Sequence, residues 1–145
     1  TGKTEKKAVI VYDSMWHSTE KIAKAVAKAF ENKGYQFKMF CLQSNHISDI
    51  MADCLDAEYI CVGSPTLNKG MLPTVASFMT YLQGLIVKGK KGFLFGSYGW
   101  AGLSMKFMQR FFDESCIETV DTINEQFVPT KDRLNEITKQ IEDKI

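Results

Sequence analysis

Residues 7–12 read KAVIVY, residues 13–17 DSMWH, and residues 18–33 STEKIAKAVAKAFENK. The first piece is a short β-branched apolar run, of the kind that forms a strand buried on both faces. The third piece sets Ile22, Ala23, Val26, Ala27 and Phe30 on one stripe at helical spacing, which predicts a helix over Ser18–Lys33. Gly34 follows as its C-terminal cap. Strand, polar loop and helix in this order make the first half of a βαβ unit, and the alternation continues to the end of the chain.

Phe37–Leu42 reads as the second strand, Ile47–Leu55 as a short helix and Glu58–Gly63 (EYICVG) as the third strand. Leu72–Leu85 is predicted helical, with Pro73 tolerated in its first turn and Val75, Phe78, Met79 and Leu82 as its buried stripe. Lys91–Ser97 (KGFLFGS) is the fourth strand, Gly102–Glu114 a helix carrying Met108, Phe111 and Phe112, and Thr119–Val128 holds the fifth strand. The last helix, Thr130–Ile145, starts after Pro129 and packs through Leu134, Ile137 and Ile141. Five strands alternating with five helices predict an α/β domain: a doubly wound, five-stranded parallel sheet with helices on both faces. Right-handed crossovers leave few topologies, and the order 2-1-3-4-5 leads for five strands.

The chain of 145 residues is 45% apolar and 12% aromatic, which fits a globular domain and excludes a disordered one. Residues 1–6 read as a disordered or cloning-derived tail and residues 7–145 as one domain. A net charge of +1, from 18 basic and 17 acidic residues, gives no reason to expect nucleic acid or a membrane surface as partner. Cys41, Cys54, Cys61 and Cys116 form no C-x-x-C pair and read as reduced small hydrophobes of a cytoplasmic protein, without a zinc site.

In such a sheet ligands bind beyond the carboxyl ends of the strands, at the point where the strand order reverses. Here that means the loops after strands 1, 3 and 4. The first, Asp13 to Thr19, offers three hydroxyls and the free N–H groups of a helix start, a combination suited to phosphate; the plainer reading makes Ser18 or Thr19 an N-cap. The second, Gly63 to Pro73, mixes Pro, Gly and Asn and offers backbone groups to a heterocycle edge. The third, GSYGWAG over residues 96–102, sets two large aromatics among three glycines, which suits stacking on a flat ring. Gly2-Lys3-Thr4 lacks the upstream glycine and strand of a P-loop. Asp13 ends strand 1 as in phospho-receiver domains, but strand 3 ends in Gly63-Ser64 rather than an aspartate. His17 and His46 lack metal-ligand company.

The runs YDSMWHSTEKIA, VGSPTLNKGMLP and FGSYGWAG closely resemble the flavodoxin-like domain of flavodiiron proteins, also called A-type flavoproteins, from about Lys7 to the end. The resemblance implies the flavodoxin-like fold and an FMN cofactor. It implies that Ser14, Met15, Trp16, His17, Ser18 and Thr19 hold the FMN phosphate, with His17 standing where the family usually has glycine. Pro65, Thr66, Leu67, Asn68 and Gly70 would line the isoalloxazine edge. Ser97, Tyr98, Gly99, Trp100 and Gly102 would cover the other edge, with Trp100 or Tyr98 stacking. In that family the domain passes electrons to a non-haem di-iron centre. No H-x-E-x-D-H cluster occurs in this chain, so the expected partner is a di-iron domain, tethered or separate, or another redox protein. Electron transfer would need no protein acid, base or nucleophile. Two other readings stay open: a flavin or quinone reductase of the same fold that takes hydride from a nicotinamide nucleotide, and a non-redox interaction domain that has lost FMN.

Overall fold

A computed structural model describes residues 5–13, 18–42, 44, 47–67, 70–71, 75, 77–78, 80–81, 90–98, 104–114, 117–126 and 129–145. In chain order the elements are β1 (Glu5–Tyr12), α1 (Ser18–Asn32), β2 (Gln36–Cys41), α2 (Ile47–Cys54), β3 (Ala57–Leu67), β4 (Gly70–Met71), β5 (Lys91–Tyr98), α3 (Ser104–Glu114), β6 (Glu118–Gln126) and α4 (Lys131–Lys144). Val75, Ser77, Phe78, Thr80 and Tyr81 are also helical, within the span predicted for the helix after strand 3.

The five long strands pair in parallel in the order β2-β1-β3-β5-β6, the expected 2-1-3-4-5 arrangement. Two elements differ from expectation. β1 begins at Glu5, which pairs with Ala57, so Glu5 and Lys6 belong to the sheet and not to the expected tail. The third strand does not stop at Gly63 but continues to Leu67, and β4 folds back on it antiparallel through Thr66↔Met71 and Leu67↔Gly70. Pro65 does not interrupt the strand, for a positional reason. The Gly63 carbonyl accepts the Asp13 N–H across to β1 at 3.3 Å. Pro65, two residues further, faces the same side, and the β1–β3 register has already ended at Tyr12↔Gly63. Its missing N–H therefore costs no ladder bond.

Alternation along the central strands feeds two separate cores. Val9, Val11, Ile60, Val62 and Leu94 pack with Ile50, Phe78, Met108 and Phe112 on one face. Ala8, Ile10, Tyr59, Cys61, Phe93 and Phe95 pack with Ile22, Val26, Phe30, Ile137 and Ile141 on the other. The chain thus covers both faces with helices, as parallel sheets require. On the second face Phe30, Tyr35, Tyr59 and Phe93 form an aromatic cluster with ring centroids 5.1–6.0 Å apart.

The helix ends follow from local chemistry. Gly34 takes φ +79°, its N–H bonds the Glu31 carbonyl and the Tyr35 N–H bonds the Phe30 carbonyl, the 5→2 and 6→1 pair of a Schellman cap. The Tyr35 ring then meets Phe30 edge-on, supplying the apolar contact that goes with this cap. At the start of α4 the Thr130 hydroxyl accepts the Arg133 N–H at 3.2 Å.

The amino ends of the strands are closed by ion pairs and a buried ammonium. Lys7, with a side chain only 10% exposed, meets Asp53 at 2.9 Å and Asp56 at 2.8 Å, and Lys38 meets Asp53 at 3.1 Å. Lys90, buried, donates to the carbonyls of Leu55 and Ala57 at 2.9 and 2.6 Å and so holds the turn between α2 and β3. The Lys7 hydrogen bond, opposed by partial burial, holds the Asp56 carboxyl below its ordinary value. Burial pushes the Asp53 carboxyl up, but Lys7 and Lys38 outweigh it and the net shift is downward.

Two predictions follow from this frame. A Cβ on Gly92 would run into the Ile60 carbonyl and the Phe112 ring, at the point where the β5–β6 register shifts. Because one obstacle is backbone, Gly92→Ala is expected to cost roughly 1–3 kcal/mol, read as a lower urea midpoint. For the Lys7 group, folded-state carboxyl values lie below the unfolded ones. Its stabilisation is therefore complete above the ordinary carboxylate range and drains as the pH falls through the depressed values. Lys7→Met is expected to lose about 1–2 kcal/mol at neutral pH, the low side for a buried pair because Asp56 is half exposed, and much less near pH 3. Denaturation curves of both proteins at the two pH values test this.

Candidate functional site

The candidate site lies at the carboxyl end of the sheet, where β1 stops and the other two central strands, β3 and β5, run on. The register Tyr12↔Gly63 and Gly63↔Phe95 brings the three chains level, and β3 and β5 then run on together through Pro65↔Ser97. The β1–β3 boundary is also where the strand order reverses, since β2 lies outside β1 and the chain returns to β3 on the other side. This is the position at which doubly wound sheets hold ligands.

Of the predicted phosphate group, Ser14, Met15, Trp16 and His17 lie outside the described residues. Ser18 opens α1, whose first turn is tied to the end of β1 through Tyr12 and Glu20, so the positive end of the helix dipole lies at this edge of the sheet. Thr19 in that turn is fully buried. Of the second group, Pro65, Thr66 and Leu67 continue β3 and Gly70 sits in β4 opposite Leu67, while Asn68 lies outside the described residues. These residues form a strand extension and a tight hairpin rather than the open loop expected. Of the third group, Ser97 and Tyr98 end β5, paired with Glu125 and Gln126 of β6, and Gly99, Trp100 and Gly102 lie outside the described residues.

Two residues at this end were not among the sequence-derived candidates. Asp13 is 1% exposed and Ser64 is fully buried, on neighbouring strands one step past Tyr12 and Gly63. With Thr19 they place three buried polar side chains around the carboxyl ends of β1 and β3. The signal for Asp13 was an acidic residue closing an apolar run; reading it only against phospho-receiver domains discarded it. Tyr12 ties the strand end to α1, its hydroxyl 3.5 Å from Glu20. Burial, with the Glu20 charge behind it, pushes that phenol up to about 12, so it stays neutral and a donor. Burial likewise raises the Cys54 and Cys61 thiols to about 12, which leaves them protonated and unreactive. Among the described residues no group of His, Cys, Asp and Glu is arranged to hold a metal ion, and no helix is long and apolar enough to cross a membrane.

A five-stranded parallel sheet in this order, with its polar groups gathered at the switch point, defines a flavodoxin-like domain. The sequence model described as Flavodoxin matches residues 10–139, and the chain belongs to the flavodoxin family. It is 46% identical over 106 residues to rubredoxin-oxygen oxidoreductase of Megalodesulfovibrio gigas, covering 73% of this chain and 26% of that protein. Its fold superposes on the flavodiiron protein from Giardia intestinalis with a TM-score of 0.93 at 27% identity, over 98% of this chain and 36% of the other. A flavodoxin from the domain Archaea gives a TM-score of 0.82 at 27% identity over 94% of both chains. The chain thus spans about a third or less of its flavodiiron relatives and nearly all of a flavodoxin. Flavodoxins and flavodiiron proteins bind FMN.

The residues described fit that group. The start of α1, a buried threonine in its first turn and two parallel strands projecting past β1 give this end of the sheet a helix N-terminus beside a wall of backbone. Gly63 stands at the centre of this end, and a Cβ there would enter the ring of the buried Phe95. Gly63→Ala is expected to lower stability by roughly 1–3 kcal/mol. Ser64→Ala, which removes one hydroxyl and adds no bulk, is expected to keep the fold while changing ligand affinity; thermal unfolding and ligand titration of the pair separate packing from binding.

Proposed function

We propose that this chain holds FMN at the carboxyl ends of β1, β3 and β5 and passes electrons between redox partners. The observation that carries this reading is the alignment of Tyr12, Gly63 and Phe95 on β1, β3 and β5, the level at which the three runs that resemble flavodiiron flavodoxin-like domains begin. FMN supplies the electron-carrying chemistry, and the protein supplies binding, orientation and electrostatics.

In this reading Ser14, Met15, Trp16, His17, Ser18 and Thr19 wrap the phosphate, with the first-turn N–H groups of α1 as donors. Pro65, Thr66, Leu67, Asn68 and Gly70 present backbone groups to one edge of the flavin ring. Ser97, Tyr98, Gly99, Trp100 and Gly102 close the other edge, with an aromatic ring stacked on the flavin. The acceptor is a di-iron domain, in the same polypeptide or in a separate one, as the kinship with flavodiiron proteins suggests.

The test is a visible spectrum of the purified chain after incubation with FMN and desalting. Retained flavin bands are expected; a colourless protein overturns the reading. Trp100→Ala is expected to weaken FMN binding about tenfold, the worth of one stacking contact, and to shift the reduction potentials. Thr19→Val, close in volume but without the hydroxyl, is expected to weaken FMN while leaving riboflavin, which lacks the phosphate, unaffected. Fluorescence titration with both flavins reads the difference.

A further inference from the structure

α1 and α4 lie side by side and run the same way: the Thr138 hydroxyl donates to the Ala25 carbonyl at 2.9 Å, and Asn32 bonds Glu142 further along. Both helices therefore start at the carboxyl ends of the strands. A surface groove runs between them, lined on the α1 side by Lys21, Lys24 and Lys28 and on the α4 side by Leu134, Asn135 and Thr138. The three lysines follow at i, i+3 and i+7, one helix face, and sit about 5, 9 and 15 Å along the axis from Ser18. No carboxylate lines the groove. Glu20 and Glu31 flank the row, meeting Lys24 at 4.0 Å and Lys28 at 3.8 Å. Both lysines are more than half exposed, and such pairs hold their charges weakly. In a chain of net charge +1 this is a local concentration of positive charge beginning beside the switch point.

We propose that this groove is the docking surface for an acidic redox protein, whose strip of carboxylates lies along Lys21, Lys24 and Lys28. The inference rests on the electron-transfer reading above and names the chemistry of its partner. Contact at the upper end of α1 brings a partner's redox centre beside the three loops, and opposite charges across the contact accelerate encounter. A nucleic acid fits less well, because the row is a single lysine wide, faces an amide and a hydroxyl, and sits on a protein with no basic excess.

The experiment titrates the isotope-labelled chain with a short poly-glutamate peptide and follows amide chemical shifts. Shifts confined to α1 and α4 are expected, weakening about tenfold when salt is raised and lost in the Lys21→Glu, Lys24→Glu, Lys28→Glu variant. In parallel, reduction of the FMN-loaded chain by reduced plant-type ferredoxin, an acidic one-electron donor, is expected to slow about tenfold in the same variant, while photoreduction by a neutral deazaflavin stays unchanged. Exposed lysines make unfolding an improbable cause, and a Lys→Gln triple variant with an intermediate effect excludes it. Shifts elsewhere, binding that survives charge reversal, or equal binding of an oligothymidylate overturn the proposal. A chain that retains no FMN overturns the electron-transfer reading, whereas the peptide titration on the flavin-free protein still decides the groove.

Discussion

Burial of the central sheet on both faces is the constraint from which the rest of the structure follows. β1 and β3 give alternate side chains to two cores, so neither face is open to a polar group or a ligand. Polar chemistry is pushed to the two ends of the strands. The five buried polar or charged residues described obey this: Lys7 and Lys90 lie at the amino ends, and Asp13, Thr19 and Ser64 at the carboxyl ends. Helix direction makes the ends unequal. Helices of a parallel sheet present their N–H ends where the strands finish and their carbonyl ends where the strands begin.

Each end meets that dipole with the matching charge. At the amino ends the buried Lys90 ammonium sits on the Leu55 and Ala57 carbonyls, between the end of α2 and the start of β3, and Lys7 gathers two carboxylates of the same region. That end is closed: its charges are paired within the chain, and a ligand would have to break them. At the carboxyl ends the α1 N-terminus faces outward beyond β1, and β3 and β5 extend past their neighbour. The fold thus seals one pole with its own ions, and the opposite pole is the one where the proposed FMN site falls.

Much of this was legible in the sequence because it is local. The KAVIVY run, the apolar stripe of α1 and the stop at Gly34 each depend on neighbours within a few residues, and each is realised. The end of β3 was misjudged for an equally local reason: Gly-Ser-Pro reads as a turn. Whether a proline breaks a strand depends on which side its nitrogen faces and whether a strand remains there, and that is a property of the sheet. The amino-end ion pairs were invisible because Lys7 and Asp53 are 46 residues apart. Asp13 and Ser64 were passed over because their burial arises only where β1 ends alongside β3. The loops carried the family resemblance, while the positions beneath them that shape the same end were fixed by topology.

Near-neutral net charge is a weak guide to how such a domain meets its partners, because charge acts over about 10 Å in physiological salt rather than over a whole molecule. Eighteen basic and seventeen acidic residues cancel on average. The cancellation is uneven: carboxylates are drawn to Lys7 and Lys38 at the amino end, while Lys21, Lys24 and Lys28 share a groove that no carboxylate lines. The three lysines lie on the flank of the phosphate site proposed at the start of α1. An electron carrier needs to bring its cofactor close to a partner and then release it. A short row of exposed charges gives fast encounter and a weak, salt-sensitive hold, whereas a large apolar patch would give slow release. The distribution of charge, rather than its sum, is therefore the feature of this chain that bears on exchange with a partner.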